Sequence, residues 1–138
     1  ISYFTSSKVK SVLLAANGIN PNENTDNASI LLKYDNGSLG VINYFSNGSK
    51  SYPKERIEIF QAGKNIIIDN FKQIQLYGYS NKGFKKSQDK GHYNQFRNWL
   101  DMIQKGGDPI IPFDSIYNTS KASILCIESL KTSSWIHV

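Results

Sequence analysis

One cysteine, Cys126, is all the thiol chemistry this sequence has. No disulfide can close within the chain, and a reducing, cytoplasmic setting is the default expectation. Arginine is nearly as scarce, with two residues against fourteen lysines. Base and phosphate recognition leans on arginine's planar fork, so a net charge of +5 does not by itself make a nucleic-acid binder. The densest basic stretch, Lys82-Gly83-Phe84-Lys85-Lys86 and on to Lys90, is interrupted by Asp89 and reads as a solvated loop. No apolar run approaches the ~20 residues that cross a bilayer. The opening Ile1-Ser2-Tyr3-Phe4 lacks the basic-then-apolar layout of a signal peptide. Neither nucleic acid nor membrane is therefore expected as a partner. There is no glycine-rich phosphate loop, no Gly-x-Ser-x-Gly elbow, and no metal-ligand spacing between His92, His137 and the lone cysteine.

What is present is an ordinary globular balance, 39% hydrophobic and 20% charged, in a length that suits one domain spanning residues 1–138. Up to about residue 80 the pattern is that of strands. Val9 to Ala15 forms the first, ended by Asn17-Gly18, and the polar stretch 19–27 is a loop. Ser29 to Tyr34 and Leu39 to Phe45 flank Asp35-Asn36-Gly37, a hairpin signal because Asn and Gly tolerate positive φ. A similar signal, Ser46-Asn47-Gly48, closes the next strand. Residues 55–61 alternate Ile57 and Ile59 against Arg56, Glu58 and Phe60. Asn65 to Asp69 and Gln73 to Tyr79 complete a meander through the turn Ala62-Gly63-Lys64. Short consecutive strands joined by tight turns favour antiparallel pairing.

From Gly91 the period becomes helical. Phe96, Trp99, Leu100 and Ile103 form one apolar stripe, and Gly106-Gly107 ends that helix. Pro109 and Pro112 keep the link extended. Asp114 is expected to cap a second helix running to about Lys131, with Ile116, Ser123, Ile127 and Leu130 on one face. The fold class expected is α+β: an open-faced, mostly antiparallel β-sheet with helices packed on one face. The uncovered face is free to line a pocket or meet another subunit.

The segment 43–56 places Tyr44, Lys50, Tyr52, Lys54 and Arg56 on or beside a turn, with donors and aromatic faces suited to a hydroxylated ligand. His92 opens the first long helix, where an imidazole can donate to or accept from a ligand. Trp99 is expected to anchor helix to sheet, Cys126 to be a small core residue, and His137 to belong to a frayed tail. Glu55 and Glu58 stand too close along one strand for a hydrolase pair. The Asn-x-Ser/Thr triplets are chance matches in an asparagine-rich chain.

Hairpin, KERIEIF, a glycine turn, IIID, a basic loop, DKGH, a helix, a Gly-Gly stop, PIIPF and a last helix occur here in that order. Over roughly Lys8 to Lys131 this order resembles the C-terminal domain of the Gfo/Idh/MocA oxidoreductases, the glucose-fructose oxidoreductase and inositol dehydrogenase family. The opening ISYFTSSKVKSV looks like the end of the helix that joins the two domains in that family. The resemblance implies an N-terminal Rossmann domain holding NAD or NADP outside this chain. It also implies hydride transfer at a carbon bearing a hydroxyl on a sugar, cyclitol or similar polyol, and homo-oligomerisation through the open sheet face. The family's Glu-Lys-Pro lysine and its paired Asp and His have no match here, so no catalytic residue is assigned. The isolated chain is expected to bind no cofactor and to be inactive. A stand-alone sheet-based interaction or carbohydrate-binding module is the alternative.

Overall fold

Turn chemistry and strand pattern divide the eight strands between two four-stranded antiparallel sheets. The computed structural model describes all of residues 1–138. The chain forms two compact units, Ile1–Asn47 with Asp108–Val138, and Gly48–Gly107.

The first unit begins with a single helical turn, α1 (Ser2–Thr5), followed by β1 (Val9–Ala16), β2 (Asn27–Tyr34) and β3 (Leu39–Phe45). The β2–β3 turn is the Asn-Gly hairpin expected, with Gly37 at φ 85°. The long helix α3 (Phe113–Thr132) and a short strand β8 (Ile136–His137) complete the unit, with sheet order β3-β2-β1-β8. Val12 and Leu14 from β1 and Ala28 and Leu32 from β2 form the core with Val9 and Tyr34. Across from them, α3 contributes Ala122 and Cys126. Cys126 is buried and free, as its setting among Ile124, Leu125 and Ile127 suggested.

Two polar residues of α3 fix its place on the sheet. Because β8 pairs with β1 only at Ser11 and Val12, the same edge of β1 is open on either side of that contact. The Asn118 amide closes one side, its Oδ1 accepting from Val9 N at 2.8 Å and its Nδ2 donating to Val9 O at 3.0 Å. Ser129 closes the other: its hydroxyl accepts from Leu14 N at 3.0 Å and donates to Ser134 O at 2.7 Å. Eleven residues are about three helical turns, so both side chains stand on one face of α3.

The second unit is a meander of β4 (Arg56–Gln61), β5 (Lys64–Asp69), β6 (Gln73–Tyr77) and β7 (Gly83–Lys85), followed by α2 (His92–Lys105). Ala62 and Gly63, both at positive φ, make the two-residue β4–β5 turn. Register places Ile57, Ile68, Ile74 and Phe84 in one row across the sheet, with Ile59, Ile66 and Leu76 in the next. One face is thus wholly apolar, yet none of the residues in this unit is fully buried.

Five expectations need correction. The basic stretch at 82–86 is not only loop, because Gly83–Lys85 pairs with β6; its alternation is too short to stand out among lysines. His137 is not in a frayed tail but pairs with Ser11, and a two-residue strand leaves no periodicity to read. Asp114 is not the cap of α3. Pro112, at φ −57° and ψ 142°, supplies the extended residue before the helix, and Asp114 falls in its first turn. The buried face of α3 is Ala122, Cys126 and Ser129, because small side chains let helix and sheet approach closely; of the expected face Ile116, Ser123, Ile127 and Leu130, only Leu130 packs against the core. Trp99 is not a buried anchor: it is 50% exposed, and α2 buries no residue.

Candidate functional site

In the second unit a turn and a loop hold each other in place. Asn70 and Phe71, between β5 and β6, both lie at positive φ (49° and 53°), a conformation that a bulky residue such as Phe rarely adopts. The neighbouring chain holds it there. Asn70 N donates to Glu55 O at 2.7 Å, Asp89 N donates to Phe71 O at 3.4 Å, and Gln88 Nε2 reaches both Asn70 O and Asn70 Oδ1 at 2.9 Å. Lys90 Nζ lies 2.7 Å from Glu55 Oε1. The other carboxylate oxygen, Glu55 Oε2, is shielded from solvent and has no partner. Asp89 Oδ1 accepts from Gly91 N at 2.8 Å, and Gly91, at φ 78°, turns the chain into α2 at His92. His92 is therefore presented at the mouth of a fixed loop, exposed to solvent.

Of the ligand candidates, Arg56 has the clearest setting. Its Nε donates to Glu58 Oε1 at 2.6 Å, both side chains lying on the same face of edge strand β4. That hydrogen bond holds the guanidinium in its charged form, helped by the negative charges of Glu58 itself and of Asp69. Tyr52 sits in a turn whose N–H donates to Ser49 O at 3.0 Å, and its ring is 69% exposed. Lys50 and Lys54 lie exposed on the same connection. Tyr44 belongs to the first unit, on β3 opposite Ala28, and is also exposed. Tyr52 and Arg56 lie four residues apart, at the end of one connection and the start of β4, with no hydrogen bond between them. Lys50 and Lys54 share only the loop, and His92 is reached through the Glu55–Lys90 clamp. That clamp was missed in the sequence, where Glu55 and Lys90 stand thirty-five residues apart with no motif joining them.

No group of three His, Cys, Asp or Glu side chains is placed to hold a metal ion. No helix is long and apolar enough to cross a membrane.

An α+β domain with antiparallel open sheets and exposed polar turns is the class that fold and surface define. No family model matches the sequence, and no curated protein is similar to it. Solved structures are similar in fold throughout the chain. An oxidoreductase domain protein from Kribbella flavida has a TM-score of 0.78 at 16% identity over 99% of this chain and 46% of its own. A levoglucosan dehydrogenase in complex with NADH and levoglucosan has a TM-score of 0.76 at 13% identity, covering 99% and 47%. An aldose-aldose oxidoreductase from Caulobacter crescentus, complexed with glycerol, has a TM-score of 0.75 at 14% identity, covering 99% and 43%. The chain spans less than half the length of each of these structures. The fold is similar to that of one part of each of these longer chains, which is the likeness in fold that the resemblance to the Gfo/Idh/MocA C-terminal domain implies.

Proposed function

We propose that this chain is a single domain, the C-terminal substrate-binding and self-associating part of an NAD(P)-dependent oxidoreductase. The whole enzyme would act on a hydroxyl of a sugar, cyclitol or similar polyol in the cytoplasm. The nucleotide belongs to a Rossmann domain outside residues 1–138, and the chain alone is inactive. The supporting observation is that the whole of this fold matches less than half of each similar oxidoreductase, two of which carry a sugar or polyol ligand. In this reading Tyr52 and Arg56, with Lys50 and Lys54 beside them, supply hydroxyl donors and acceptors. His92 adds a further polar contact, Tyr44 on the first unit is a separate candidate contact by itself, and the apolar face of the second sheet meets its copy in the oligomer.

Isothermal titration of the chain with NADH tests the assignment directly. No saturable binding is expected. Tight stoichiometric binding would place a nucleotide site in this chain and overturn the reading. Sedimentation velocity tests self-association, for which the expected result is a concentration-dependent dimer or larger species.

A further inference from the structure

On the face of the first sheet turned away from the α3-packed core, four residues stand in one row. Leu39 of β3 pairs with Lys33 of β2, Lys33 with Ser11 of β1, and Ser11 with His137 of β8. Directly opposed residues of antiparallel strands hold their Cβ atoms roughly 4.5–5.5 Å apart, so Lys33 and His137 flank Ser11 closely. The β1–β2 register shifts between Val9 and Ser11, leaving Lys10 as the extra residue of a β-bulge. Strict alternation would send Lys10 and Ser11 to opposite faces. With the bulge, both line the same hollow, a depression of about 590 Å³ that also includes Lys33, Asp35, Trp135 and His137.

The chemistry of this hollow is lopsided. Two lysines, Lys10 and Lys33, and the imidazole N–H of His137 stand against one acid, Asp35. The chain's carboxylate ion pairs use Lys8, Arg56, Lys90, Lys105 and Lys131, so neither Lys10 nor Lys33 is neutralised by one. Lys33 Nζ is instead held 4.1 Å from the centre of the Trp135 ring, an arrangement that fixes an ammonium while leaving its charge unpaired. Among these groups Ser11 is only 5% exposed, a hydroxyl in the floor of the depression. Unpaired cations around a hydroxyl, beside an apolar wall, are suited to an oxyanion.

We propose that Lys10, Ser11, Lys33 and His137, walled by Trp135, form a binding site for the phosphate or carboxylate group of a small molecule. The site lies wholly within the first unit and does not depend on the oxidoreductase reading. The β-bulge is the device that brings the second lysine to it.

The test is an NMR titration of the chain with inorganic phosphate, and in parallel with acetate, at fixed ionic strength. Saturable shifts of the Trp135 indole N–H and the Ser11 and His137 amides are expected with at least one of the two anions. Affinity should fall at least tenfold in Lys33→Gln and in Lys10→Gln. Lys64→Gln, which removes a lysine held over Tyr79 in the other unit, should leave it unchanged. The preference between the two anions identifies the group carried by the ligand. Absence of saturable shifts with either anion, or equal affinity in Lys33→Gln, would overturn the proposal. So would Trp135 shifts that follow protein concentration instead of anion, because they would make the hollow a contact between copies.

Discussion

The two units are built from the same parts, a four-stranded antiparallel sheet and a helix, yet every fully buried residue lies in one of them. In the first, Val12 and Ser129 are completely enclosed. In the second, seven apolar residues form one sheet face and remain only half-buried or exposed. The helices differ in the opposite sense from what their sequences suggest. The apolar stripe of α2, with Phe96, Trp99 and Ile103, is exposed, while α3 packs through Ala122, Cys126 and Ser129. Amphipathic pattern makes a helix capable of burial. Close approach and matched hydrogen bonds are what seat it.

The largest effect that would break this contrast is expected from Leu32→Ala. It empties a buried position and should lower stability by roughly 2–5 kcal/mol, whereas Ile66→Ala on the half-buried face should cost about 1 kcal/mol. Urea unfolding of both variants measures the difference, and equal losses would mean that the second unit holds a core of its own.

Ser129→Ala comes next. It leaves Leu14 N and Ser134 O without their shared hydroxyl, at a cost of roughly 1–3 kcal/mol. Hydrogen exchange should show the Leu14 amide losing protection before its neighbours do.

In the second unit the sharpest probe is Gly83→Ala. Gly83 lies at φ 102°, and an added Cβ would overlap Ile74 O. The substitution should detach β7 from β6, seen as lost amide protection at Gly83 and nearby, while the first unit keeps its melting behaviour.

The smallest effect is expected from Asp114→Asn. The hydrogen bond to Lys8 holds the Asp114 carboxyl below its ordinary range and raises the Lys8 ammonium. A depressed carboxyl contributes stability above its unfolded value and loses it as pH falls through the folded one. The variant should therefore behave almost like wild type near neutrality and show a flatter decline on the acid side in pH-dependent unfolding. The effect is small because both groups are exposed to solvent.

Much of the fold was legible because it rests on local chemistry. Asn36-Gly37 and Ala62-Gly63 mark their turns, and Ile57 and Ile59 declare the face of β4. The elements that escaped reading depend on distant partners. β7 and β8 are too short to carry a period and exist because β6 and β1 offer free edges. The Asn70-Phe71 turn contains no glycine, and contacts from Gln88 and Asp89 support it. The candidate site was legible only as residue types near Tyr52 and Arg56. The clamp behind His92 and the row Leu39-Lys33-Ser11-His137 are products of register, which no single segment encodes.

Asn118 and Ser129 do more than satisfy stray backbone groups on β1. The fully buried residues between them, Ala122 and Cys126, are small and offer little to set the position of the helix along the sheet. A shift of one turn, about 5.4 Å, would lose both polar contacts together and strand the β1 amides they meet. The helix consequently has one seat and no neighbouring half-stable one, so these two side chains act as a vernier that sets the alignment of α3 on the sheet.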